Sequence, residues 1–167
     1  MKVLRALVLV ALLAVAVFVG YRFSRTPTES AGRSVAIYYV RPDSDTLGKW
    51  SVSLSPKATD TESVAFYATA QVLAGPPAET QAVRFPTGTI ARSVRVAGTT
   101  ATVDLGGAVA AKQSGSYGES GEFKALVWTL TALNDVKAVQ VLVDGARVAT
   151  LPGGHIELDE PLTRQSF

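Results

Sequence analysis

The single histidine of this 167-residue chain, His155, stands in an alternating run with two carboxylates. His155, Glu157 and Asp159 are two residues apart, so a strand in this region would place all three on one face. Imidazole and carboxylate groups on one face can hold a divalent cation. Alternation with Ile156 and Leu158 is also the ordinary pattern of a half-buried strand with one solvated face. We favour that second interpretation and predict no metal site.

A second candidate is the Gly/Ser-rich stretch Gly115–Gly121, which precedes an apolar helical pattern and could offer backbone N–H groups to an anion. The glycine spacing does not fit a dinucleotide loop, and no Gly-Lys-Ser/Thr follows. Glu119 and Glu122 would also repel phosphate. We therefore expect a loop over 113–121, with Ser116 or Ser120 as the helix N-cap.

Few residues in this sequence could catalyse hydrolysis. A serine nucleophile needs a base beside it, and His155 is the one imidazole available. No Gly-x-Ser-x-Gly elbow occurs, and no two carboxylates are singled out as a glycosidase pair. Aromatic residues that could stack on a sugar lie inside regular patterns and are predicted to pack in the core; they are Tyr38, Tyr39, Trp50 and Trp128. We predict no catalytic residue, no cofactor and no enzymatic activity.

The charge distribution argues against nucleic acid as a partner. The chain carries 16 Lys plus Arg against 14 Asp plus Glu and has a pI near 9.0. From Gly32 onward, however, the counts are 12 and 13, a net charge of −1. Phosphate binding needs a basic surface, which this part of the chain lacks. Arg92 and Arg95 have opposite parity on their predicted strand and are not expected to share a face.

The N-terminal region contains an uncharged apolar run of 16 residues, Ala6–Tyr21, flanked by Lys2, Arg5, Arg22 and Arg25. Its length approaches that of a spanning helix, and small residues at a signal-peptidase spacing do not follow it closely. We predict an uncleaved signal-anchor over 1–23 and a flexible linker over 24–33, followed by a domain over 34–167. The predicted location is the cell membrane, single-pass, with the domain outside the cytoplasm. Cleavage of the leader would make the protein secreted.

The remaining pattern predicts an α+β domain. Strand patterns cover Ser34–Val40 and the alternation around Trp50, and a capping box at Thr59 and Glu62 opens a first helix that ends at Gly75. A hairpin, a second helix ending near Asn134 and a further hairpin turning at Asp144-Gly145 follow; the strand runs are Ile90–Val96, Thr99–Leu105, Ala138–Val143 and Ala146–Thr150. The order ββαββαββ predicts two helices packed on one face of a single mixed, mostly antiparallel sheet.

An ordered series of short motifs resembles the GerMN domain family of sporulation and spore-germination proteins. The resemblance covers about Val35 to Arg164 and depends on the order of the motifs, since none is specific alone. The motifs are Val72-Leu73-Ala74-Gly75-Pro76, Phe85-Pro86-Thr87-Gly88-Thr89, Val103-Asp104-Leu105, Glu119 to Phe123, Thr129-Leu130, Val139 to Gly145, and Asp159-Glu160-Pro161-Leu162-Thr163-Arg164.

The resemblance implies a non-catalytic binding or assembly module of the cell envelope, with a fold similar to ring-building domains. Expected partners are the membrane, through the N-terminal helix, and an envelope protein or a second copy of the chain. The alternative is a cell-wall or small-ligand-binding domain, or an unrecognised cell-wall hydrolase. Candidate interaction residues are Phe85, Pro86, Thr87, Gly88, Ser116, Tyr117 and Glu119.

Overall fold

The computed structural model describes residues 33–111 and 115–167, and within them it confirms the α+β class. The predicted signal-anchor over 1–23 and nearly all of the predicted linker lie outside the described residues. The described elements are β1 (Ser34–Val40), β2 (Leu47–Ser53), α1 (Thr61–Ala74), β3 (Thr89–Ala97), β4 (Thr100–Gly107), α2 (Gly115–Leu130) and β5 (Ala138–Val143), with 3-10 turns at Ala108–Ala110 and Arg164–Ser166.

The strands form two sheets where one was expected. β1 pairs antiparallel with β2, while β3, β4 and β5 form a separate sheet in that order, with β4 parallel to β5. The separation has a local cause at the outer edge of β1. There the Tyr38 N–H donates to the Thr129 hydroxyl of α2 at 2.9 Å, and the Val40 carbonyl accepts from the Val83 N–H at 2.9 Å. These groups are therefore not available to another strand.

The last predicted hairpin is half correct. Asp144 and Gly145 adopt positive φ values of 50° and 80°, as a two-residue hairpin turn requires, and Val143 bridges to Ala146. The predicted strand Ala146–Thr150 is wrong, because no strand follows the turn. The outer edge of β5 is bridged instead by Leu162, whose N–H and carbonyl both bond to Val139 at 2.8 Å.

Two predicted helix boundaries need correction. The N-cap of α1 is Asp60, not Thr59: its carboxylate accepts the Ser63 N–H at 2.8 Å, and the Ser63 hydroxyl accepts the Asp60 N–H at 3.2 Å. α2 begins at Gly115, so the described part of the predicted loop over 113–121 is helical and neither Ser116 nor Ser120 is its cap. Close packing explains the glycine at position 121, since a Cβ there would lie 2.9 Å from a Val83 methyl group.

The core joins both sheets through α2. Phe123, Leu126 and Leu130 of this helix are fully buried and pack with apolar residues of α1, β1, β4 and β5. The Phe123 ring meets the buried Phe85 edge-on, with ring centroids 5.7 Å apart. Packing of this kind makes α2 the central element on which the positions of the other elements depend.

We predict that Thr129→Val destabilises the domain by about 1–3 kcal/mol, because it leaves the Tyr38 N–H without its acceptor while conserving side-chain volume. Thr129→Ser keeps the hydroxyl and should recover most of that loss. Urea unfolding of both variants measures the difference. Equal stability of the Val variant and the wild type would contradict the role assigned to this hydrogen bond.

Candidate interaction groove

A groove runs along the outer edge of β3, between that strand and α1. It consists of two adjoining cavities of about 520 and 620 Å³ that share Phe66. We call it the β3-edge groove. Its strand wall is residues 89–95, and its helix wall is one face of α1, made by Glu62, Ser63, Phe66, Tyr67, Ala70, Leu73 and Ala74; Ser55, Lys57, Ala58 and Asp60 close one end, and Arg84, Phe85, Thr87 and Gly88 the other.

The groove follows a strand edge that has no partner strand among the described residues, because β3 pairs with β4 alone. At one end of this edge, the Val96 N–H donates to Glu62 at 3.3 Å, and Arg95 pairs with the same carboxylate at 3.1 Å. Alternation in an antiparallel pair directs the peptide groups of Val94 to the same side as those of Val96. The edge therefore presents backbone polar groups to the groove, and Glu62 occupies one of them.

Exposed apolar side chains line the groove. Phe66 on α1 is 42% exposed and Ile90 on β3 is 53% exposed, and both border the second cavity. Tyr117, at 49%, completes the set of large exposed apolar residues in the described part of the chain, and it lies elsewhere, in the first turn of α2. Two large apolar side chains exposed beside an unpaired strand edge form the strongest binding feature of the described surface.

Cationic side chains line the first cavity. The prediction that Arg92 and Arg95 lie on different faces of their strand was wrong. Arg92 and Arg95 were expected on opposite faces, yet both line this cavity. A β-bulge between Ala91 and Ser93 inserts one residue and so changes the parity of the strand. The two arginines are already paired: Arg92 lies 3.4 Å from Asp104 and 3.1 Å from Asp144, and Arg95 lies 3.1 Å from Glu62.

The predicted interaction residues fall in two places. Thr87 and Gly88 line the second cavity, and Phe85, also at its wall, is 5% exposed and packs on Phe123. Pro86 lies between them in the chain and is half-buried. Ser116 and Tyr117 are exposed at the start of α2, where the Tyr117 hydroxyl bonds the carbonyls of the β1–β2 turn; these are Arg41 at 3.2 Å and Pro42 at 3.0 Å. Their roles in binding stay predictions.

Glu119, the last predicted interaction residue, is 4% exposed. Its carboxylate accepts the backbone N–H groups of His155 at 2.7 Å and Ile156 at 3.5 Å, and so attaches the segment after β5 to α2. The imidazole Nδ1 of His155 lies 3.8 Å away. Residues 155–159 do not form the strand that was considered for a metal site, and no cluster of three potential metal ligands occurs among the described residues.

The groove has the features of a recognition surface. It lacks a serine nucleophile paired with a histidine base, which hydrolysis of this kind requires. No histidine lines either cavity, so Ser63 and Ser93 have no imidazole base beside them. In the described ranges, no helix combines the length and apolar character needed to cross a bilayer.

The geometry defines a class of protein: a small α+β domain with an unpaired strand edge beside an apolar groove. The sequence model of the Germane family, described as sporulation and spore germination, matches residues 36–149. The chain belongs to this family, as the order of its motifs predicted. No curated protein sequence matches the chain.

Solved structures agree on the fold. The tandem GerMN domains of the sporulation protein GerM from Bacillus subtilis are 23% identical, with a TM-score of 0.62 over 83% of this chain and 50% of that chain. The first GerMN domain of GerM is 19% identical, with a TM-score of 0.62 over 80% and 98%. A predicted lipoprotein of Clostridium perfringens is 15% identical, with a TM-score of 0.55 over 81% and 91%. The chain spans half the length of the tandem structure.

Asp60, which closes one end of the groove, generates a prediction for acid stability. The Ser63 backbone N–H and then its side chain, both bonded to the cap, hold the pKa of Asp60 below its ordinary value of 3.8. A lowered carboxyl pKa contributes stability that is complete above the ordinary value and is lost as the pH falls through the lower, folded-state value.

We expect Asp60→Asn, which keeps a capping oxygen, to be somewhat less stable than the wild type at neutral pH and to match it near pH 2. Asp60→Ala should be the least stable of the three at neutral pH, because it removes the cap. Urea unfolding at both pH values gives the differences. A gap between the wild type and the Asn variant that stays constant with pH would exclude the ionised carboxylate as the cause.

Proposed function

We propose that this chain is a non-catalytic, membrane-tethered module of the cell envelope whose β3-edge groove binds an extended segment of another polypeptide. The observation that carries the proposal is the free edge of β3 with Phe66 and Ile90 exposed beside it. Main-chain groups of an edge strand give affinity for an extended peptide, and neighbouring apolar pockets receive its side chains. The description of the family, sporulation and spore germination, supports a role in one of these processes.

The anchored location is supported by the sequence of residues 1–23. An uncharged apolar run with cationic flanks favours insertion, and the lipoprotein description of one structural relative is consistent with a tethered domain. The domain then stands outside the cytoplasm, single-pass, in a place where it can meet other envelope proteins.

The anchor is tested on protein recovered from cell membranes. We expect an intact mass that includes residues 1–23, and digestion of the domain by protease added outside intact cells whose wall has been removed. A mass that corresponds to a chain beginning after the linker would show cleavage. Protection of the domain from external protease would contradict the proposed orientation.

The groove is tested by photocrosslinking in cells, with a benzophenone amino acid placed at Phe66, at Ile90 or, as a matched exposed aromatic position, at Tyr117. We expect one common adduct from the two groove positions and not from Tyr117. Truncating the opposite wall should reduce this adduct by tenfold or more, because buried apolar anchors carry about 2 kcal/mol or more of binding energy. The truncations are Phe66→Ser with the probe at Ile90, and Ile90→Thr with the probe at Phe66.

Both side chains are about half exposed, so each truncation should lower the free energy of unfolding by about 1–2 kcal/mol at most, which urea unfolding of each variant checks. Equal adducts at all three positions, or none from the groove, would contradict the proposal.

The first cavity supports a second candidate, binding of a cell-wall fragment or other small ligand. Its volume of about 520 Å³ lies in the range of small-ligand sites, and it combines Tyr67 and Phe66 with charged groups. Incubation with peptidoglycan fragments distinguishes the candidates: saturable binding lost in Phe66→Ser supports the small ligand, and turnover lost on changing one carboxylate would make the protein an enzyme.

A further inference from the structure

The outer edge of β3 is closed at both ends by groups of the same domain. At one end, the Val96 N–H donates to the Glu62 carboxylate at 3.3 Å. At the other end, the Thr89 N–H donates to the Pro86 carbonyl at 3.0 Å, and the Gly88 carbonyl accepts the Ala108 N–H at 3.2 Å. A segment that pairs with this edge therefore meets main-chain groups that are already bonded at its first and last positions.

Between these ends, Val94 has outward main-chain groups that remain open. The register with β4 is regular from Ser93 to Ala97 and shifts between Ala91 and Ser93. Because main-chain groups alternate in direction along an antiparallel pair, the N–H and the carbonyl of Val94 point to the same side as the Val96 N–H. In the described ranges, no hydrogen bond reaches Val94 from outside the β3–β4 ladder. Val94 is therefore the position in the regular part of β3 at which a bound segment can exchange two main-chain hydrogen bonds.

The Glu62 carboxylate is held at the Val96 end by two contacts. Its Oε1 atom pairs with Arg95 at 3.1 Å, and its Oε2 atom accepts the Val96 N–H. Glu62 lies in the first turn of α1, where a negative charge is favourable beside the free N–H groups of the helix. The Oε2 atom occupies the place that the carbonyl oxygen of a paired segment would take at Val96. Since the side chain is 41% exposed, it can be changed without disturbing the core.

The apolar side chains of the groove favour the same register as the carboxylate. Phe66 lies four residues after Glu62, on the same face of α1, and borders both cavities. Ile90 lies beyond the bulge and borders the second cavity. A segment that pairs at Val94 and continues away from Glu62 passes both apolar side chains. A segment shifted two residues toward Val96 moves away from Ile90 and meets the carboxylate.

Resting on the proposed function of the groove, we infer that Glu62 is a specificity-determining residue, which sets the register and length of the bound segment by occupying the Val96 N–H. The segment exchanges main-chain hydrogen bonds with Val94 and then extends over Phe66 and Ile90, where pockets receive its apolar side chains. Replacing Glu62 by a residue without an acceptor opens Val96 as a second pairing position, two residues along the strand. The wild-type groove therefore selects a short extended segment and rejects a long strand.

The register is tested with octapeptides from a random phage-displayed library, selected on the full chain in detergent micelles and counter-selected on Phe66→Ser. Each amide of the best octapeptide is N-methylated in turn, which removes one main-chain donor at a time, and binding is measured by fluorescence polarisation. An amide that donates to β3 should lose about tenfold in affinity when methylated. We expect Glu62→Ala to show one more sensitive amide than the wild type, two residues beyond the last, and to bind the unmethylated octapeptide about tenfold more tightly.

Two control variants separate the hydrogen bond from the charge. Glu62→Gln keeps a side-chain oxygen for the Val96 N–H and should retain the wild-type set of sensitive amides. Glu79→Ala removes the same charge from an exposed position outside both cavities and should retain it as well. Amide hydrogen exchange gives a second readout: the Val96 N–H should exchange about tenfold faster in free Glu62→Ala than in the free wild type, and the octapeptide should protect the Val94 N–H in both.

The same set of sensitive amides in the wild type and in Glu62→Ala would overturn the inference, and so would an equal gain in affinity in either control variant. Octapeptides that depend on Phe66 still bind in these cases, so the proposed function stands. A library that yields no octapeptide dependent on Phe66 would contradict the proposed function itself, and the role of Glu62 with it. The two failures are therefore distinguishable.

Discussion

The placement of α2 against the outer edge of β1 is the constraint on which the rest of the structure depends. Thr129 is fully buried and accepts the Tyr38 N–H, while Leu126 about one turn earlier and Phe123 about two turns earlier fill the core. With its edge occupied by a helix, β1 can pair on one side alone, and the strands divide into two sheets. The division leaves β3 at the end of the second sheet, with α1 beside it and a groove between them.

An unpaired strand edge is a hazard as well as a binding surface, and β3 carries two features that restrict it. Glu62 covers the Val96 end, and the bulge at Ala91–Ser93 breaks the regular ladder. The same bulge brings Arg92 to the face of β4 that carries Asp104, and its guanidinium pairs with Asp104 at 3.4 Å and with Asp144 at 3.1 Å. One inserted residue thus both limits strand pairing at the outer edge and forms ion pairs across the sheet.

Sequence preferences within a few residues were enough to predict the elements that depend on local interactions. The β-branched and aromatic run Ser34–Val40 matches β1 at both ends, and the Asp144-Gly145 turn has the backbone conformation expected of it. Tertiary contacts decided the rest. The glycine at position 121 inside α2 is explained by Val83, which packs where a side chain would be. Ala146–Thr150 is not a strand because Leu162 occupies the edge of β5.

The groove could not be predicted from the alternation of side chains along β3, because the bulge shifts that alternation by one residue. The sequence around Arg92 has no glycine or other mark of that irregularity, and a strict period of two places Arg92 and Arg95 apart. Phe85–Gly88 was identified as an interaction region from the family motif, and the structure places Phe85, Thr87 and Gly88 at one end of the groove. The α1 wall, with Phe66, was missed because one exposed aromatic on a helix is not informative alone.

Most of the side chains capable of chemistry hold main-chain segments in place. Glu119 accepts the amides of His155 and Ile156, Asp104 accepts the Gly145 N–H at 2.8 Å, and the Arg84 guanidinium donates to three carbonyls of the loop after α1; these are Pro76, Pro77 and Thr80. Groups bonded in this way are not free to transfer protons or attack a substrate. Several exposed charges make no ion pair in the described part of the chain, among them Lys49, Lys57 at the groove, Glu79 and Lys137. Exposed charges of this kind suit contacts with another polypeptide.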